Sequence, residues 1–207
     1  MRATIVLAAT AFLVIGCKDP GAEVTAAKVE APTEAKEAPA ADSAAAEALP
    51  INPSNSKVEF IGAKVTASHP GGFTDFSGAV DLGDPIEESR INVTIQTASL
   101  YADKEKLTKH LKSPDFFDVA GFPTATFQST EIKKEGEGHT ITGELTLHGV
   151  TKSISFPASI SASESRVNAS AEFSINRKDF GINYPGMQDD LIRDLVVIKL
   201  KLALPRG

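Results

Sequence analysis

Few side chains in this sequence are of a type that does chemistry. The four histidines, His69, His110, His139 and His148, never fall in a His-x-His or His-x3-His spacing. The one cysteine, Cys17, lies far from all of them, so neighbouring positions supply no zinc set. His69 stands in "SHPGG", His139 in a Gly/Lys/Glu turn and His148 at a hairpin tip, places where solvated histidines are expected. Asp189-Asp190 is an adjacent carboxylate pair, but neighbours on a strand face opposite sides, which works against a shared acid–base role. No Gly-rich phosphate loop or Ser nucleophile elbow occurs. The reading is a protein that is not an enzyme and needs no cofactor or metal.

The unusual residues are aromatic. "HLKSPDFFDVAGFPTATF", from His110 to Phe127, holds four of the eleven phenylalanines in a stretch with little regular pattern. Loops are normally polar and lie on the surface, so these rings need an apolar place to go. Just before them, "YADKEKLTKHLKS" puts Leu107, His110 and Leu111 on one helical face, with Asp103 a candidate cap. Ser113-Pro114 suits a second short helical turn, and Pro123 forces Phe122 to be extended. A helical flap is expected, with Phe116 or Phe117 tucked inward and Phe127 opening the next strand.

The elements that must receive this flap are strands. "RINVTIQ", "TATFQSTEI", "RVNASAEFSI" and "LVVIKLKLAL" alternate apolar and polar residues with period two. "HTITGELTLHGVTKSISFPASI" reads as a hairpin turning at His148-Gly149. "SKVEFIGAKVTA" and "FSGAVDL" add two more strands, with Gly62 a candidate bulge. Seven or eight strands with one apolar face each predict an antiparallel barrel, with an open sandwich as the rival. Ala125, Ala158, Ala169 and Ala171 are small inward candidates, and either a channel or close sheet contact explains them.

The N-terminal part is different in kind. "MRATIVLAATAFLVIGC" has a positive start and an apolar core too short to span a bilayer, and its end resembles the lipobox of bacterial lipoproteins. That resemblance implies cleavage after Gly16 (signal peptide 1–16), a lipidated Cys17, and a membrane anchor facing the periplasm. Lys18 in place of Asp favours the outer membrane. Residues 17–50 are rich in Ala, Glu and Pro, with seven acidic residues against three lysines after Cys17. Such a segment reads as a disordered tether, holding the domain of residues 51–207 roughly 30 Å from the bilayer. The formal net charge of −6 and the lack of a basic block set nucleic acid aside.

"HLKSPDFFDVAGFPTATFQST", "GELTLHGVTKSISF" and "NRKDFGINYPG" leading to "IRDLVVIKLKLAL" resemble, in this order, the YceI-like proteins of the bacterial envelope. The resemblance implies an all-β fold, an extended lipocalin-like eight-stranded antiparallel barrel with a short helical insert. It also implies an apolar tunnel holding an isoprenoid, quinone or fatty-acyl chain. Phe60, Phe76, Ile95, Phe116, Phe117, Phe127, Leu145, Phe156, Phe173, Phe180 and Tyr184 are the expected contacts of that chain. Arg177 and Lys178 stand beside Phe180 and Tyr184 near the expected mouth, where two readings are open, cations that meet a headgroup or a solvated loop with aromatic anchors; Lys109 and Lys112 on the flap are candidates for the same headgroup role. An aromatic-ringed mouth would also suit a homodimer. Many members open with a Trp and a His-Ser pair; here Asn55-Ser56 stands there and the chain has no Trp. The competing expectation is a solidly packed barrel that serves as an envelope interaction module.

Overall fold

The computed structural model describes residues 19–32 and 47–207; Cys17 and the signal-like stretch lie outside the described residues. The strands are β1 (Lys28–Glu30), β2 (Glu47–Ile51), β3 (Ser56–Ala63), β4 (Ser68–Phe73), β5 (Phe76–Leu82), β6 (Arg90–Gln96) and β7 (Leu100–Ala102). The single α-helix among the described residues, α1 (Glu105–Leu111), precedes β8 (Thr124–Glu135), β9 (Gly138–Leu147), β10 (Val150–Ala162) and β11 (Arg166–Asn176). The chain ends with the short pair β12 (Gly186–Met187) and β13 (Asp190–Leu191), then β14 (Leu195–Pro205).

All but the short pair form one 12-stranded sheet in the order β2-β5-β6-β8-β9-β10-β11-β14-β3-β4-β7, with β1 added on β10. Every ladder in it is antiparallel, and the sheet curls into a barrel. The chain crosses four times between its two ends, from β2 to β3, through α1 from β7 to β8, and side by side from β4 to β5 and from β6 to β7. There the Gln96 N–H donates to Asp75 O (3.0 Å) and the Thr74 N–H to Ser99 O (3.4 Å). Farther along, Arg206 Nε donates to Glu47 Oε2 at 2.8 Å, joining the C-terminal end to β2. No ladder joins β2 to β7 among the described residues; crossing and clamp tie the two ends of the sheet together instead.

The hairpin at His148-Gly149 forms as expected, with φ of 51° and 73° and Leu147 opposite Val150. Several expectations are corrected. The barrel sheet holds more strands than eight, because the short β2 and β7 extend its two ends and β1 is added on β10. Gly62 pairs regularly with His69, and the register shift falls instead between Ser129 and Glu131. There the Ser129 hydroxyl accepts the Ile91 N–H at 2.8 Å, a bond the bulge makes room for. Asp103 does not cap α1; its carboxylate meets His69 Nδ1 at 3.0 Å, and Lys104 stands at the cap without a side-chain bond. After Ser113 the chain does turn over 114–117, with the Phe116 N–H on Ser113 O at 3.0 Å, and Asp118 with φ 42° leads into a further turn over 119–121. Part of the segment read as a tether is also structured: Gly21 is buried, β1 pairs with β10, and β2 begins at Glu47.

The core has two parts. Leu49, Ile51, Phe76, Val80, Val167 and Leu204 pack solidly on the side away from α1. Ile132, Ile141, Ile154, Phe156, Ala158, Phe173, Ile175 and Phe180 form the second, along one wall. Phe156 and Phe173 stack there with centroids 4.2 Å apart.

Candidate functional site: an apolar cavity under a helical flap

Alternation along β6, β8, β9, β10, β11, β14 and β3 turns one set of side chains inward. They do not meet at the centre. Between them lies a cavity of about 1030 Å³, at or just past the upper end of the ~300–1,000 Å³ usual for ligand pockets. Its wall is almost wholly apolar: Ile91, Val93 and Ile95 from β6, Leu145 and Leu147 from β9, and Ile198, Leu200 and Leu202 from β14, with rings between them. All four small inward candidates, Ala125, Ala158, Ala169 and Ala171, line it. Where a larger residue would fill the barrel, these leave it open. The interior is therefore not the solid core of the competing expectation.

Gly143 on β9 contributes space of another kind. A Cβ there would come within 2.5 Å of the Phe127 ring and of the Gln128 carbonyl oxygen, so the ring takes the space that a side chain would fill. The solid cluster around Phe76 and Leu49 underlies the wall residues Val58, Ile91, Val93, Ile95 and Leu202 and forms the floor.

The opposite end is the flap. Leu107, His110 and Leu111 all face the cavity from α1, as their spacing requires. Phe116 and Phe117 both turn in as well: Phe116 is buried, and Phe117 packs edge-on to Phe73 at 5.9 Å. His110, Phe116 and Tyr184 form a mutual cluster, each pair 5.0–5.1 Å apart. Phe122 stays outside and covers His148, 4.4 Å away. So the aromatic segment has its apolar place: two rings roof the cavity, Phe127 enters the wall, and Phe122 seals the hairpin tip. Exposed Lys104, Lys106, Lys109 and Met187 mark the open rim.

Of the expected contacts, Phe60, Ile95, Phe116, Phe117, Phe127, Leu145, Phe156, Phe173 and Tyr184 line the cavity. Phe76 and Phe180 do not. Phe76 belongs to the floor, and Phe180 is wholly buried behind the wall, where its carbonyl meets His148 Nδ1 at 3.2 Å. Lys112 is also absent from the lining; its N–H instead bonds back to Thr108 O and closes α1.

Arg177 is not a free cation at the mouth. It is only 4% exposed, and donates from Nη1 to Ile182 O (2.6 Å), from Nε to Arg193 O (3.1 Å) and from Nη2 to Asp194 (3.3 Å). Burial pushes its pKa down, and Asp194 opposes that shift. It clamps the loop that carries Tyr184. Lys178, beside it, reaches Asp194 at 2.9 Å. Asp190 is likewise structural, since Lys64 and the Thr66 hydroxyl bind its carboxylate and so hold the β12–β13 hairpin to the β3–β4 turn. The Lys64 bond keeps its pKa below the usual carboxylate value.

Two of the histidines also differ from expectation. His69 lies on β4, and His139 is a buried β9 residue 3.9 Å from Glu87. Asn55 takes over the strand-entry turn, donating to Pro50 O (2.8 Å) and accepting from the Asn52 N–H (3.1 Å). Ser56 behind it is buried and reaches the cavity. Among the described residues no group of three or more His, Cys, Asp or Glu is placed to hold a metal, and no helix is long and apolar enough to cross a membrane.

Fold and cavity together define a lipocalin-like barrel with an apolar interior. The profile of the YceI-like domain matches residues 50–204, and the chain belongs to that family. A UPF0312 protein of Pseudomonas putida is 41% identical over 125 residues, which are 56% of this chain and 65% of that protein. Less than two thirds of that relative's length is therefore matched. Among solved structures, BcnA of Burkholderia cenocepacia superposes with a TM-score of 0.64 at 24% identity, over 72% of this chain and 95% of its own. A polyisoprenoid binding domain from Saccharophagus degradans, implicated in plant cell wall breakdown, gives 0.63 at 16% identity, over 78% and 99%. At these identities the two structures speak for the fold.

Proposed function

We propose that this protein binds one long apolar chain, an isoprenoid, quinone or fatty-acyl lipid, inside the barrel for carriage, storage or protection. The single observation that carries the reading is the roofed apolar cavity of about 1030 Å³. Its apolar wall gains from displacing water, and ten buried chain carbons are worth a gross ~8 kcal/mol before ordering costs subtract several. Nothing in such binding requires a nucleophile or a proton donor, so the protein acts by holding its ligand and not by transforming it. The polyisoprenoid binding of the Saccharophagus domain agrees with this choice of ligand.

Native mass spectrometry of the chain purified from a bacterial envelope, followed by organic extraction, tests the reading. A stoichiometric lipid adduct is expected. A clean unliganded mass that persists after incubation with quinones and fatty acids would overturn it.

We also infer lipidation of Cys17 and attachment to the periplasmic face of an envelope membrane, the outer one by the Lys18 argument. The sequence pattern at Val14-Ile15-Gly16-Cys17 supports this. Labelling with an alkynyl palmitate, abolished in Cys17→Ser, is the expected result.

A further inference from the structure

The β10–β11 pair differs from the other long pairs of the sheet. The strands are joined only between Ser159–Ala162 and Val167–Ser170, although each runs on for several residues. β10 stays paired with β9 down to Val150, and β11 stays paired with β14 to Asn176. The wall therefore forks. The fork is filled by the chain's own segment 25–30. Lys28, Val29 and Glu30 stand opposite Ser155, Ile154 and Ser153 on one lip. On the other lip, the Ala27 N–H donates to Ser174 O (2.8 Å) and the Ser174 N–H to Thr25 O (3.0 Å).

Both lips belong to the cavity. Ile154 and Phe156 of β10 and Phe173 and Ile175 of β11 line it. The inserted strand is slight by comparison. Only Ala27 and Val29 pack inward on the wall cluster, whereas Lys28 and Glu30 are exposed. Few apolar contacts and exposed hydrogen bonds mark the parts of a protein that open at low cost. Upstream, Gly21 is buried against Leu195, so the segment can leave the fork and remain held at one end.

We propose that segment 25–30 is a removable wall strand and that the fork beneath it is a side entrance to the cavity. The inference rests on the lipid-binding reading. A long flexible chain that enters end-on must thread past the Phe116–Tyr184 roof. Through an open fork it can slide in along its length. Release of the strand removes its hydrogen bonds to both lips at once and leaves the Phe156–Phe173 stack as the contact that must part across them.

Hydrogen exchange of the full chain without ligand tests the strand itself. Segment 25–30 should exchange at least a hundredfold faster than the β9–β10 amides, and equal protection would overturn the proposal. A double variant, Lys28→Cys with Ser155→Cys in a Cys17→Ser background, then tests the entrance with cis-parinaric acid as probe. Oxidation should slow its release at least tenfold, and reductant should restore it. Binding with the same release rate, locked or unlocked, overturns the entrance and leaves lipid binding intact. Failure of every form to bind the probe overturns the lipid-binding reading, and the entrance with it.

Discussion

Filling the cavity is the sharpest perturbation the structure offers. Ala171 sits on β11 opposite Leu200 of β14, two residues from Ala169 and Phe173, and all four line the open interior. In a close-packed core, Ala171→Phe would overpack and cost about 1–3 kcal/mol. Here the new ring has a cavity of about 1030 Å³ to enter. It would occupy the space of about four chain carbons, each worth ~0.8 kcal/mol, or roughly 3 kcal/mol of ligand binding. That amounts to about a hundredfold weaker affinity. The assay is a titration with cis-parinaric acid beside thermal unfolding of delipidated protein, since bound ligand would itself raise the midpoint. Loss of binding with an unchanged or raised midpoint is expected. Unchanged binding with a destabilisation of about 1–3 kcal/mol would refute the reasoning, because the ring would then have met a filled interior.

Other outcomes follow from the same geometry. Arg177→Met should cost about 3 kcal/mol by leaving the buried Ile182 carbonyl without its donor, a fall in Tm of roughly 6–12 °C by calorimetry. Gly143→Ala should destabilise by about 1–3 kcal/mol in urea unfolding, because the Gln128 carbonyl at 2.5 Å belongs to the backbone and cannot turn aside. Acid should loosen the rim hairpin. The folded pKa of Asp190 is lowered, so its contribution is complete above the unfolded value near 3.8 and fades as pH falls through the lower folded value. Hydrogen exchange of Gly186–Leu191 followed down through that range should show the loosening, and Asp190→Asn should exchange fast at every pH.

The sequence made the long strands legible because β8, β9, β10, β11 and β14 each bury one face, which writes period two into their residues. It made α1 legible for the same reason at period 3.6. β4 was hidden, since "SHPGGF" carries proline and two glycines that disfavour strands. Its glycines answer to close approach: a Cβ at Gly71 would strike the Phe60 ring and the Tyr101 carbonyl oxygen. β1 was hidden too, because "KVE" inside an Ala/Glu/Pro run looks unstructured, and a gap in a distant part of the wall decides its conformation. The inward alanines could be read from parity, but whether they left a void depended on the strand count and the curl. Arg177 does line the cavity, but a basic residue beside aromatics also resembles a headgroup site. Only tertiary packing shows that three acceptors already hold its guanidinium.

The solid floor has a consequence for what this barrel can tell apart. An open tube would accept a chain of any length and let the excess protrude at both ends. A well with a floor of Leu49, Phe76 and their neighbours has a depth. On the lipid-binding reading it would act as a ruler: each further methylene would gain about 0.8 kcal/mol until the tip met that floor, and every one beyond it would stay in water at the rim. Selection among homologous lipids would then be a matter of counting carbons, with the graduation set by floor side chains that never touch the shorter members of the series.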